Sequence, residues 1–253
     1  MMVYKLEGIV IHTMDYGETN KIVTLYTKEL GKVGVMARGA KKPRSRLSAG
    51  SQFLTYGLYL FTKGRGLGTL QQADPINPLR YIKADIEKMA YASYIVDFIH
   101  KLTDKDVHDA TIYEWVYRLL HYMDKGLDPQ VLTFIYEIKM LSVLGIDAEV
   151  DRCTKCGQSE EGVAFSVSQG GILGRCCYHL DPNALMISST SAKLLRMFKY
   201  IQLDRIGKIA LKEETKKELK MVIDAYYEAY SGLSLKTKKF IDQLQGIDPF
   251  KRS

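Results

Sequence analysis

Two hydrophobic periods share this chain, and the switch between them near Pro78 constrains its architecture more than any other feature. Before it, apolar residues alternate in short runs; after it, they recur every third or fourth position. Residues 6–14 (LEGIVIHTM), 21–26 (KIVTLY) and 32–38 (KVGVMAR) are short, rich in β-branched residues and bounded by turns at Asp15-Tyr16-Gly17 and Leu30-Gly31. Residues 53–62 (FLTYGLYLFT) set Phe53, Tyr59 and Phe61 on one face and Leu54, Tyr56, Leu58 and Leu60 on the other, as a central strand would. Gly57 interrupts that strand and marks a bulge or a sharp coil. Lys63-Gly64-Arg65-Gly66 reads as a hairpin turn into a last strand at 67–73. Five glycine-curved strands in about 75 residues fit a small barrel of the OB-fold type.

Charge is concentrated in the same region. The net charge is +7 over 253 residues, and residues 1–80 hold twelve basic residues against five acidic ones. The remaining residues balance at 24 of each sign, so the first third carries the whole excess. Between Glu29 and Asp74 there is no acid, while Lys32, Arg38, Lys41, Lys42, Arg44, Arg46, Lys63 and Arg65 all fall there. Like charges repel, and a one-sign field of this size has a polyanion to meet. A solvated basic face is the competing reading, but it is more usually an even scatter. The segment from Gly39 to Arg46 is small, basic and suited to tracking a phosphate backbone, so these eight residues are the candidate nucleic-acid contacts. Tyr16, Tyr26, Tyr56, Tyr59 and Phe61 are candidate stacking faces, of which some must fill the barrel.

From Pro78 onward the periodicity predicts a helical body. A helix over 81–102 places Ile82, Ile86, Met89, Ser93 and Val96 on one stripe. A second, over 111–123, carries Ile112, Trp115, Val116, Leu119, Leu120 and Met123. A third has Asp128 as N-cap, Pro129 in its first turn and Gly145 as its stop. Further helices are expected from 189–191 to about 203, over 213–230 and, shorter, over 237–244. These stripes are core and carry no chemistry. The expected organisation is α+β and multidomain: an OB-fold at 1–78, a helical domain of 79–150 with 183–253, and a small zinc-ribbon-like insertion at 151–182.

That insertion holds all four cysteines. Cys153-x2-Cys156-Gly157 is a knuckle in which two thiolates grip one Zn²⁺ and the glycine permits the tight turn. The second half, Arg175-Cys176-Cys177-Tyr178-His179, offers three ligands where two are needed. Cys176 with His179 keeps the x2 spacing, whereas adjacent cysteines rarely both reach one ion. A structural Zn²⁺ on four of these five residues is expected.

No catalytic constellation accompanies these features. The chain has no GxxxxGK[ST], no GxGxxG between strand and helix, no HExxH and no GxSxG. His12, His100, His108, His121 and His179 are scattered. No apolar run approaches the roughly 18 residues of a membrane span, and MMVYKLEGIV lacks an apolar signal core. A non-enzymatic, cytoplasmic binding protein without a membrane partner is the expectation. An RNA-binding OB-fold and zinc module in translation or RNA processing is the alternative, because charge does not tell RNA from DNA. A zinc enzyme is disfavoured, since four protein ligands would close the metal.

The chain resembles the RecO family of bacterial recombination mediators. Asp15-Tyr16-Gly17-Glu18-Thr19, Tyr26-Thr27, Gly31-Lys32-Val33 and Ala37-Arg38-Gly39-Ala40-Lys41-Lys42 resemble its N-terminal pattern. Tyr230-Ser231-Gly232 with Leu235-Lys236-Thr237-Lys238-Lys239-Phe240 resembles its tail. The resemblance implies binding of single- and double-stranded DNA, annealing of complementary strands, and action with RecR to load RecA onto DNA coated with single-strand-binding protein. It implies contact with that protein's acidic C-terminal tail, and a nucleoid-associated location. By position, 32–46 would be the main DNA contact. The family's zinc pattern would put its third Cys at Gly174 and its fourth at Cys177, with Cys176 or His179 as substitutes.

Overall fold

The computed structural model describes residues 2–102, 109–159 and 162–247. The chain divides into two compact units, Met1–Pro129 with Leu235–Ser253, and Gln130–Ser234.

The first unit is built on a closed barrel of β1 (Met2–Tyr16), β2 (Asn20–Thr27), β3 (Gly31–Ala37), β4 (Tyr56–Lys63) and β5 (Gly68–Asn77), in the order β1-β2-β3-β5-β4. β3 and β5 run parallel, while the other pairs are antiparallel. This is the OB-like arrangement expected. β1 closes the barrel because it is long enough to pair twice, with β4 over Met2–Ile9 and with β2 over Gly8–Tyr16.

A bulge between Val10 and His12 changes which side chains of β1 face inward. Val10, opposite Leu25, belongs to the core, and Thr13, half-buried, lies opposite the core residue Val23. The extra residue, Ile11, shifts the inward set from even to odd numbers, leaving Met14 and Tyr16 outside. In β4, Gly57 lies at a bulge, and a Cβ there would stand 2.6 Å from the Asp74 carbonyl oxygen. β4 starts three residues later than its apolar run, because Leu54 takes φ 53°, outside the strand region. Leu54 N–H donates to the Val10 carbonyl at 2.9 Å and Val10 N–H to that of Thr55 at 3.0 Å, so this segment still closes on β1.

The single helix expected over 81–102 is two. α1 (Arg80–Lys83) ends at Ala84, and α2 (Ile86–Leu102) restarts after Asp85, whose carboxylate accepts the Glu87 and Lys88 amides at 2.9 and 3.1 Å. Ile86 is consequently the first residue of α2 and is 68% exposed rather than core. Of the expected stripe, Ile82 and Val96 are buried and Met89 and Ser93 half-buried, and α2 also buries Tyr91, Ile95, Phe98 and Ile99. α3 (Ala110–Asp124) is capped by Asp109 and buries Ile112, Val116, Leu119, Leu120 and Met123 of its expected stripe, while Trp115 of that stripe is half-buried.

The second unit contains α4 (Pro129–Val143), β6 (Gly162–Ser166), β7 (Gly171–Gly174), β8 (Leu185–Met186), α5 (Ser189–Tyr200) and α6 (Glu213–Tyr230). α4 is buried nearly all round and closes at Gly145, whose φ of 71° lets the Ile146 amide reach the Leu141 carbonyl at 3.0 Å. α5 stops at Tyr200, short of the expected 203. The strands form a small sheet, β7-β6-β8, that carries the cysteine loops. α7 (Lys236–Ile247) returns to the first unit and packs on α2, where Thr237 Oγ1 meets Asp97 at 2.9 Å and Gln245 Nε2 meets the Tyr91 hydroxyl at 2.7 Å.

Candidate nucleic-acid interface and cysteine cluster

The basic connection between β3 and β4 is wound into turns. Amide-to-carbonyl bonds run from Lys42 to Gly39 at 3.0 Å, Ser45 to Lys42 at 3.1 Å and Ser48 to Ser45 at 3.2 Å. Ala40 is buried, Leu47 packs on the barrel core, and the Gly39 amide is held by Asn20 Oδ1 at 2.8 Å. Anchored at those points, the segment carries Arg38, Lys42, Arg44 and Arg46 exposed. Arg65 is exposed in the β4–β5 turn. These five cations have no ion-pair partner among the described residues.

The other three expected contacts sit differently. Lys32 Nζ donates to the backbone carbonyl of His100 at 2.7 Å, so its charge holds the end of α2 to the barrel. Lys41 Nζ is 2.7 Å from Asp15 Oδ2, and its amide donates to the Thr19 carbonyl at 2.9 Å. The Lys41 hydrogen bond holds the Asp15 carboxyl below its usual range. Lys63 ends β4 and is half-buried. The sequence marks Asp15 only as a turn residue and part of the family pattern, and does not single out Asn20; the signal for both is their place at the two ends of the first hairpin turn.

Of the candidate stacking residues, Tyr26, Tyr59 and Phe61 are core. The Tyr59 hydroxyl donates to the Gly50 and Thr55 carbonyls at 3.0 and 3.1 Å, tying down the end of the loop. Tyr56 donates to Glu7 and packs on Tyr117 with ring centroids 4.9 Å apart. Tyr16 alone of the five is open, at 53% exposure.

In the second unit, Cys153, Cys156, Cys176 and Cys177 bring their Sγ atoms within 4.8 Å of one another. Gly157, at φ 73°, turns the first pair, and its amide donates to the Cys153 carbonyl at 2.9 Å. The second pair follows a turn closed by the Cys177 amide on Gly174 at 3.0 Å. That turn sets the adjacent Cys176 and Cys177 sulfurs 3.4 Å apart and Cys176 3.4 Å from Cys156. The expectation that neighbouring cysteines would not converge fails here because the chain reverses between them and β7. His179 is outside the cluster, exposed in the short turn Tyr178–Leu180.

Two family models match the chain: Recombination protein O N terminal over residues 1–79 and Recombination protein O C terminal over 83–239. The chain is 47% identical over 246 residues to the DNA repair protein RecO of Halalkalibacterium halodurans, covering 97% of each chain. It is 48% identical to that of Bacillus subtilis, covering 97% of this chain and 96% of the relative. With that of Bacillus mycoides it shares 48% identity, over 96% and 98%.

The chain belongs to the RecO family.

Membership places it in DNA repair and recombination. The barrel and all eight basic residues fall in the RecO N-terminal part, and the cysteine cluster falls in the C-terminal part. β7 ends at Gly174, where the RecO resemblance expects a third Cys, and the turn beyond it supplies Cys176 instead. The four thiols could hold one metal ion. A tetrahedral thiolate site with metal–sulfur bonds of about 2.3 Å sets its sulfurs roughly 3.8 Å apart, between the 3.4 Å of the two close pairs and the 4.8 Å within which all four lie. Burial pushes the Cys153 thiol up, but hydrogen bonds from the Gly174, Cys156 and Lys155 amides outweigh it and bring it to about 7. The hydrogen bond with Cys176 and burial push Cys177 the other way. Four cysteine donors complete a tetrahedron without an open position, the pattern of a structural centre.

His12 and His100 stack with centroids 4.9 Å apart, His121 lies in α3, and His108 falls outside the described residues. Burial, Lys32 and His12 lower the pKa of His100. No helix among the described residues is long and apolar enough to cross a membrane.

Proposed function

We propose that this RecO-family chain is a non-enzymatic, cytoplasmic and nucleoid-associated recombination mediator. It binds single- and double-stranded DNA through Arg38, Lys42, Arg44, Arg46 and Arg65 with little sequence preference. By neutralising phosphates on two strands it lowers their repulsion and lets complementary strands anneal. With RecR it helps load RecA onto DNA coated with single-strand-binding protein, whose C-terminal tail it contacts. The roles divide among 1–78, the helical 79–150 with 183–253, and 151–182. Zn²⁺ held by Cys153, Cys156, Cys176 and Cys177 cross-links the two halves of the last part.

One observation carries this reading: five exposed cations without an ion-pair partner among the described residues, on the face of an OB-like barrel. Side chains paired within the protein would have to give up those partners to meet phosphate, and these do not. The test is annealing of complementary strands, free or coated with single-strand-binding protein, beside a competition between DNA and RNA of matched length. Annealing of both forms supports the proposal. Failure to anneal, or a strong preference for RNA, contradicts it and favours an RNA-binding module.

A further inference from the structure

A thiol cluster that can hold a metal is also a set of nucleophiles, and its members differ in what can reach them. Cys153 and Cys177 are 2% and 7% exposed and pack with Ala164 and Leu173. Cys156 and Cys176 are exposed, and their Sγ atoms stand 3.4 Å apart although the residues are 20 positions apart in the chain. Each follows an exposed cation, Lys155 before Cys156 and Arg175 before Cys176. Open thiols in electropositive surroundings are the ones that oxidants reach first.

The geometry also selects the pairing. Cys176 lies 3.4 Å from Cys177 as well. Adjacent residues, however, hold their Cα atoms about 3.8 Å apart, short of the roughly 4.4–6.8 Å that a disulfide spans without strain. Cys156 comes from the other loop and is under no such constraint. The chain is exposed throughout 155–159, so the Cys156 and Cys176 sulfurs can close on one another without repacking a core residue.

We infer that Cys156 and Cys176 are a peroxide-sensitive pair whose oxidation to a disulfide expels the metal ion. The inference rests on the reading of the four thiols as a zinc centre. The thiolate of one cysteine attacks a peroxide oxygen, the O–O bond breaks and hydroxide leaves, giving a sulfenic acid. The thiolate of the other attacks that sulfur, the S–O bond breaks and a second hydroxide leaves. The two sulfurs give up two electrons, hydrogen peroxide takes them, and two protons from solvent turn the hydroxides into water. Zn²⁺ is left with two of its four sulfur donors and dissociates. Cys153 and Cys177 stay behind as buried thiols, and the new bond ties together the same two loops that the ion held.

The zinc-loaded protein is titrated with hydrogen peroxide. Released zinc is read with a chromogenic chelator too weak to strip the untreated protein, and the cysteines are mapped by mass spectrometry of a non-reducing digest. Zinc should leave as the chain loses about 2 Da, with the disulfide between Cys156 and Cys176 and thiols at Cys153 and Cys177. Dithiothreitol with added Zn²⁺ should restore the starting mass and metal content. Zinc and all four thiols retained at peroxide levels that fully oxidise glutathione over the same time overturn the inference. So does a disulfide between Cys176 and Cys177 or one that includes Cys153, and so does oxidation that dithiothreitol does not reverse. Protein that holds no zinc even after incubation with Zn²⁺ overturns the metal reading instead. The same map then tests the pair by itself: a Cys156–Cys176 bond supports its sensitivity to peroxide, and absence of that bond overturns it.

Discussion

Lys41 Nζ stands 2.7 Å from Asp15 Oδ2, and this contact removes one cation from the basic face. The hydrogen bond depresses the Asp15 pKa, so the pair is present at neutral pH and is lost only as pH falls through that lowered value. Asp15→Asn should free Lys41 for phosphate. Single-stranded DNA binding should tighten at low salt, and the slope of log affinity against log salt should steepen by about 0.7. Fluorescence titration over a salt series measures both. An unchanged slope would mean that Lys41 stays off the DNA even when released.

Lys32 belongs to the basic run in sequence but to the packing in space. Its ammonium donates to the His100 carbonyl at 2.7 Å. Lys32→Met should lower stability by about 1 kcal/mol, reduced from the usual range for a charged hydrogen bond because the site is partly exposed. It should leave the salt slope of DNA binding alone. Thermal denaturation with a parallel binding titration separates the two effects, and a slope flattened as much as in Arg44→Ala would place Lys32 on the DNA.

The cysteine geometry separates Cys177 from His179 as ligands. Zinc content of the purified protein should be about one ion per chain. Cys177→Ser should lose the ion and lower the melting temperature, while His179→Ala should keep both. Because the thiols must be deprotonated to bind, the ion should dissociate as pH falls, and a chelator should reproduce the stability loss at neutral pH. Elemental analysis of the two variants decides the ligand set; metal lost from His179→Ala but not from Cys177→Ser would reverse the assignment.

Much of this molecule could be read from local chemistry. The five strands, the bulge at Gly57, the stop at Gly145 and the limits of 213–230 follow from turn residues and period, which act over a few positions. What escaped depends on contacts between distant positions. Asp85 divides a continuous helical pattern because its side chain caps a new helix, so Ile86 comes out exposed. Tyr26 and Tyr16 look alike in a strand sequence, and only closure of the barrel puts one inside and one outside. The one-residue shift at Ile11 is invisible in composition, yet it sets the outward face of β1. Lys32 and Lys41 read as two more cations until His100 and Asp15 arrive from elsewhere in the chain. In the cysteine insertion, spacing favoured His179, whereas a turn after β7 brought Cys176 and Cys177 together.

The central claim is that exposed cations of the barrel, and not the basic run as a whole, hold DNA. Its most direct test is the salt dependence of single-stranded DNA binding by a variant carrying Arg38→Ala, Lys42→Ala, Arg44→Ala and Arg46→Ala, beside Lys32→Met. The quadruple variant should bind far more weakly at low salt, with a slope flatter by about 3 units, while Lys32→Met keeps the parental slope. A quadruple variant with the parental slope and affinity would contradict the account.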